Sequence, residues 1–146
     1  MTKRSKNPLE TSATHLLHRA GQRAADIFAE EAKKGGLTPR QYAVLTAVSQ
    51  EEGLPQAELV SRTGIDRSTL ADIVARLLGR GLIQRRRAKE DGRAYAIKLS
   101  AKGTKALAKA KPAASAADAK LLAGLSATKR NEFLKTLSAV VAAGDD

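Results

Sequence analysis

Between Arg62 and Lys105 the chain sets twelve basic residues against four acidic ones, so most of its formal net charge of +11 falls in this one segment. Within it, Arg67, Ser68, Thr69, Asp72 and Arg76 share a short stretch at helical spacings. Guanidinium and hydroxyl groups hydrogen-bond phosphates and the edges of bases. Arg67 is able to read guanine bidentately, and Ser68 and Thr69 can bond either a phosphate or a base. Asp72 has two readings: it accepts from a cytosine amino group, or it orients Arg76 one turn later through an i,i+4 pair. The second is favoured, because a carboxylate close to phosphates is otherwise unfavourable. A second set, Arg85, Arg86, Arg87 and Lys89, runs into Asp91, Gly92 and Arg93. The first four are cations for phosphate, while Arg93 follows a tight turn from which an arginine enters a narrow minor groove. Asp91 either holds that guanidinium or simply forms the turn with Gly92, and the two roles are compatible.

These groups need a scaffold, and the apolar spacing supplies one. Asp66 is a helix cap, and Leu70, Ile73, Val74, Leu77 and Leu78 follow it as an apolar stripe at i, i+3, i+4, i+7 and i+8. Gly81 ends that helix in the left-handed conformation. A shorter helix after Pro55 turns Ala57, Leu59 and Val60 inward and stops at Gly64, so Thr63-Gly64-Ile65 links two helices in a helix-turn-helix. Leu82 and Ile83 then open a hairpin whose turn holds Asp91-Gly92, and Tyr95, Ile97 and Leu99 alternate along its return strand.

The flanks are helical. Residues 1–10 read as a flexible basic tail with Lys3, Arg4 and Lys6. From about Thr11 to Lys34, Leu16, Leu17, Ala20, Ala24, Ile27 and Phe28 lie on one apolar face, and the glycines after Lys34 stop the helix. Thr38, Pro39 and Gln41 predict a capping box in front of a helix that buries Tyr42, Leu45 and Val48. Ser100 caps a long Ala- and Lys-rich helix that Pro112 interrupts with a kink. A last helix after Ser126 carries Phe133, Leu134, Leu137, Val140 and Val141 on one face. The first and last helices hold more apolar surface than a small domain covers, which points to a dimer.

The fold class is therefore mainly α with a small β-wing: a winged helix-turn-helix whose N- and C-terminal helices form a dimerisation region. Its boundaries are a flexible tail at 1–10, a dimerisation helix at 11–36, a DNA-binding winged helix at 37–105 and C-terminal dimerisation helices at 106–146. Composition narrows the partner. The basic excess suits a polyanion, yet aromatics are 3% of the chain with no Trp, which argues against single strands stacked on aromatic platforms and for double-stranded DNA. The chain has no cysteine, which removes thiolate metal sites, cysteine nucleophiles and thiol redox sensing. It also has no Gly-rich phosphate loop and no recognisable nucleophile–base pair, so an enzyme is not expected, nor a cofactor. The N-terminus lacks the apolar core of a secretory signal and no apolar run spans a membrane, so a cytoplasmic protein with no membrane partner is expected.

The order of these parts (a helix, LTPRQYAVL, STLADIVARLLGRGLI, a wing with Asp91 and Arg93, then LSAKGTKAL) resembles the MarR family of transcriptional regulators over nearly the whole chain. The resemblance implies a homodimer on a palindromic operator, usually a repressor released by a small ligand. Asp72 departs from the family, where many members carry a basic or neutral residue, and that opens the base preference at this position. The family's ligand pocket lies between the dimerisation helices and the winged helix, which makes His15, His18, Arg19 and Arg23 on the first helix and Tyr42 on the second the candidate ligand-binding residues. Two arginines one turn apart suit a carboxylate or phosphate. His15 and His18 alone are half a zinc coordination set, so no metal is expected. The segment HLLHRA resembles relatives that control aromatic-acid catabolism, which implies an aromatic acid or its acyl-CoA thioester as effector. The competing reading of the same charge is an architectural, nucleoid-type DNA binder without a ligand.

Overall fold

The computed structural model describes residues 7–33, 36–87 and 95–144. Order begins earlier than a loose tail of ten residues requires. Asn7 accepts the Leu9 amide at 3.0 Å and starts a 3-10 turn, Pro8–Thr11, with proline at its first position. Ser12 then caps α1 (Ala13–Ala32) by accepting the His15 amide at 3.3 Å. Its end differs from the expected glycine stop: Lys33 itself takes the positive φ, at 62°. Only Phe28 of the α1 stripe is buried, while Leu16 and Leu17 stay 48% and 44% exposed.

The Thr38–Gln41 capping box forms as the sequence predicts, and it opens α2 (Pro39–Gln50). Gln41 N–H donates to Thr38 Oγ1 at 3.1 Å, and Thr38 N–H donates to Gln41 Oε1 at 3.2 Å. The chain next makes a two-residue strand, β1 (Leu54–Pro55), that periodicity does not announce. Proline is tolerated there because the strand lies at the edge of the sheet. In α3 (Gln56–Thr63), Leu59 is buried and Val60 half-buried, but Ala57 is exposed. Ala57 stands about 200° round the helix from Leu59, nearly opposite the buried face, which is why it does not turn inward.

Helix α4 (Arg67–Gly79) buries Leu70, Ile73, Val74 and Leu77. It closes in a Schellman turn: Leu82 N–H donates to the Leu77 carbonyl at 3.0 Å and Gly81 N–H to that of Leu78 at 2.9 Å, with Gly81 at φ 73°. Strands β2 (Ile83–Arg87) and β3 (Tyr95–Leu99) pair antiparallel, Ile83 opposite Leu99 and Arg87 opposite Tyr95. β3 is the middle strand, because β1 adds to its other edge with Leu54 opposite Ile97. Helix α5 (Ala101–Leu121) follows, capped by Ser100, and runs through Pro112 without a break. Pro112 is exposed, so water can satisfy the carbonyl that loses its amide partner.

One core holds α2, α3, α4 and the sheet, with Val44, Leu45, Leu54, Leu59, Leu77 and Ile97 at its centre. Leu107 ties α5 into it. Helix α6 (Ala127–Ala142) buries no residue, and its Val140 and Val141 are 55% and 64% exposed. Among the described residues, no helix is long and apolar enough to cross a membrane.

Candidate nucleic-acid interface

The N-terminus of α4 is built around Asp66. Its Oδ1 accepts the Thr69 amide at 2.9 Å and the Ser68 hydroxyl at 3.1 Å, while its Oδ2 accepts the Thr69 hydroxyl at 2.8 Å. The bonds from the Thr69 backbone and side chain hold the Asp66 carboxyl below its ordinary value of 3.8. Asp66 therefore stays ionised at neutral pH. Ser68 is exposed and Thr69 half-buried, so the two hydroxyls expected to share one role occupy different surroundings.

One turn along, Asp72 Oδ2 accepts from Arg76 Nε at 3.0 Å, with both side chains more than 60% exposed. The geometry agrees with the orienting role expected for Asp72. Ser68, Asp72, Ala75 and Arg76 all lie on the exposed side of α4, away from Leu70, Val74 and Leu77. Arg67 is exposed at the first helical position.

Strand alternation divides the arginine run in the wing. Arg85 is paired with Ile97 and Arg87 with Tyr95, which places both on one side of the sheet; Arg86, opposite Ala96, faces the other way. The Arg85 guanidinium carbon stands 4.4 Å from the centre of the Tyr95 ring and that of Arg87 5.9 Å. The three arginines expected to act together are thus split, two of them set against the same tyrosine ring. Lys89, Asp91 and Arg93 lie outside the described residues.

A joint at the far end of α4 is absent from the sequence reading. Ser100 Oγ donates to the Gly81 carbonyl at 2.6 Å and accepts the Gly103 amide at 2.9 Å, while Ser100 N–H donates to the Leu82 carbonyl at 3.1 Å. Gly103 is buried against that carbonyl: a Cβ there would lie 1.8 Å from the Leu82 oxygen. The end of α4 and the start of α5 therefore form one rigid piece. A glycine three residues into a helix was the available signal, since glycine is disfavoured there unless another backbone comes close. Arg80 was also missed; its Nη1 donates at 3.3 Å to Gln41 Oε1, tying α4 to the first turn of α2.

The expected ligand residues do not meet in one cavity. A cavity of about 290 Å³ lies among α1, α2 and α5, lined by Gly21, Phe28, Tyr42, Ala117, Asp118 and neighbours. Tyr42 is the expected residue found there, its ring 5.8 Å from that of Phe28. Arg19 and Arg23 instead line a separate open groove with Asp26, Glu30 and Lys120. Lys120 pairs with Glu31 across α1 and α5, and its ammonium pKa is raised by that hydrogen bond first and by the carboxylate charge second. His15 and His18 line neither space. Helical periodicity placed these residues on α1 but gave no means of telling which sides of α1 meet α2 and α5.

Comparison with known proteins decides what this assembly is. A sequence model of the MarR family matches residues 35–94. The transcriptional regulator HosA of Escherichia coli O127:H6 is 35% identical over 99 residues, spanning 68% of this chain and 73% of HosA. The chain belongs to the MarR family of transcriptional regulators. Its fold agrees throughout. The MarR chain superposes on the PcaV transcriptional regulator of Streptomyces coelicolor, solved with its natural ligand, with a TM-score of 0.88 at 30% identity over 97% of this chain and 99% of PcaV. It also matches the transcriptional repressor CouR bound to a 23-mer DNA duplex, with a TM-score of 0.85 at 28% identity over 96% of this chain and 99% of CouR. In this MarR protein, α3 and α4 are the helix-turn-helix and β2–β3 the wing, and it is a DNA-binding regulator rather than an enzyme.

Proposed function

We propose that this MarR regulator is a repressor that binds a palindromic operator as a homodimer and is released by an aromatic acid or its acyl-CoA thioester. The observation that carries the DNA part is the exposed side of α4, where Ser68, Asp72 and Arg76 stand on a helix fixed by its cap at one end and by Ser100 at the other. Arg67, Thr69, Arg85, Arg86, Arg87, Lys89, Asp91 and Arg93 complete the proposed DNA-binding set. The dimer is supported by the apolar residues this chain leaves uncovered, Leu16 and Leu17 on α1 and Phe133, Leu134, Val140 and Val141 on α6. Such a regulator works in the cytoplasm, where the DNA is.

The ligand part rests on the cavity beside Tyr42 and on relatives: PcaV is known with its natural ligand, and CouR from Rhodococcus jostii RHA1 with p-coumaroyl-CoA bound. In this proposal Phe28 and Tyr42 receive the ring, and Arg19 and Arg23 serve the anionic part from the neighbouring groove, while His15 and His18, which line neither space, are left out of the ligand set. A hundredfold release of DNA requires roughly 2.7 kcal/mol of differential affinity between the binding and non-binding arrangements.

The test is fluorescence anisotropy on a selected operator, titrated with benzoic and hydroxybenzoic acids and their CoA thioesters. At least one compound is expected to weaken operator binding about tenfold or more. Tyr42→Ala and Arg19→Ala should keep operator affinity and lose the response. Intact operator binding that no compound alters refutes the ligand part and leaves the DNA part standing.

A further inference from the structure

The side of α4 that faces outward has its hydrogen-bond polarity set before any DNA arrives. A carboxylate has only acceptors, so in the contact between Ser68 Oγ and Asp66 Oδ1, at 3.1 Å, the hydroxyl is the donor. Asp66 cannot easily turn away from it. Its two oxygens are held from the other side by the Thr69 amide at 2.9 Å and the Thr69 hydroxyl at 2.8 Å. The same bonds keep the carboxyl ionised, so it does not become a donor itself. Ser68 is exposed and therefore presents an oxygen whose proton points back into the protein: its lone pairs face outward.

An outward acceptor is selective on a duplex. Phosphate oxygens are acceptors too and offer it nothing. In the major groove the guanine edge offers acceptors at N7 and O6 and thymine offers O4, while the donors are the exocyclic amino groups, N4 of cytosine and N6 of adenine. We infer that Ser68 is a specificity residue that accepts a hydrogen bond from a cytosine or adenine amino group, with Asp66 as the positioning residue that holds its proton away from the DNA. The inference rests on α4 being the DNA-reading helix. It removes one of the two roles open to Ser68 in the sequence, since a phosphate contact needs the hydroxyl proton that is already donated to Asp66.

The experiment begins with selection of an operator by the full-length protein from random duplexes. The selected duplex is then rebuilt one position at a time with deoxynebularine for adenine, which lacks the N6 amino group, or deoxyzebularine for cytosine, which lacks the N4 amino group. At one position in each half-site the wild type should lose about fivefold in affinity, the scale of one hydrogen bond, and the base concerned identifies the source of the amino group. Ser68→Ala should be indifferent to the deletion at that position. Asp66→Gly, which keeps a tolerated helix cap but removes the acceptor, should discriminate less than wild type. An enriched operator whose amino deletions affect the wild type and Ser68→Ala alike overturns the role of Ser68 alone. A selection that enriches no sequence overturns the operator reading, and this inference with it.

Discussion

Gly103→Ala is expected to lower stability by about 3 kcal/mol, at the upper end of what overpacking a core usually costs. The added Cβ would sit 1.8 Å from the Leu82 carbonyl oxygen and 2.8 Å from its carbon. Neither neighbour is a side chain able to swing aside. Leu82 is 2% exposed, and its carbonyl already accepts from Ser100 N–H at 3.1 Å. Relief requires α5 to move off the end of α4, which also breaks the Ser100 bonds to Gly81 and Leu82. Thermal unfolding should show a fall of roughly 10 °C, and operator affinity should fall with it because the joint positions α4. An unchanged melting temperature contradicts the packing of α5 on Leu82.

Arg76→Ala should act on binding and spare the fold. Its pair with Asp72 is largely exposed, at 69% and 63%, so its loss changes stability by no more than about 0.5 kcal/mol. Operator affinity is expected to drop about tenfold to a hundredfold, the range for losing a good arginine–base contact. The loss has two sources. One is the missing guanidinium; the other is Asp72, left as a bare carboxylate on a surface that approaches phosphates. Removing both side chains should therefore weaken binding less than removing Arg76 alone, and anisotropy titrations of the two single variants and the double variant measure that coupling directly. Equal affinities for Arg76→Ala and wild type take Arg76 off the reading surface.

What the sequence makes legible here is what local physics decides. The caps at Thr38, Asp66 and Ser100, the apolar stripe of α4, the left-handed Gly81 and the Asp72–Arg76 pair all depend on residues within a few positions of each other, and all form. What escapes depends on distant chain. Strand β1 has two residues and exists because β3 has a free edge for Leu54 and Pro55. The close approach of Gly103 to Leu82 is a meeting of two elements, and it shows in the sequence only as a glycine that helix propensity disfavours. The separation of Tyr42 from Arg19 and Arg23 reflects which sides of α1 face α2 and α5. The arginine run is a different case. Its division was readable from strand periodicity, since Arg86 must oppose its two neighbours once Ile83–Arg87 is a strand.

Two copies of α4 in the proposed homodimer are expected to read a palindrome from the major groove. Hydroxyl-radical footprinting on a selected operator tests this most directly. Protection is expected in two windows related by a dyad, their centres one helical turn of DNA apart; uniform protection that ignores sequence would rule out paired reading by α4.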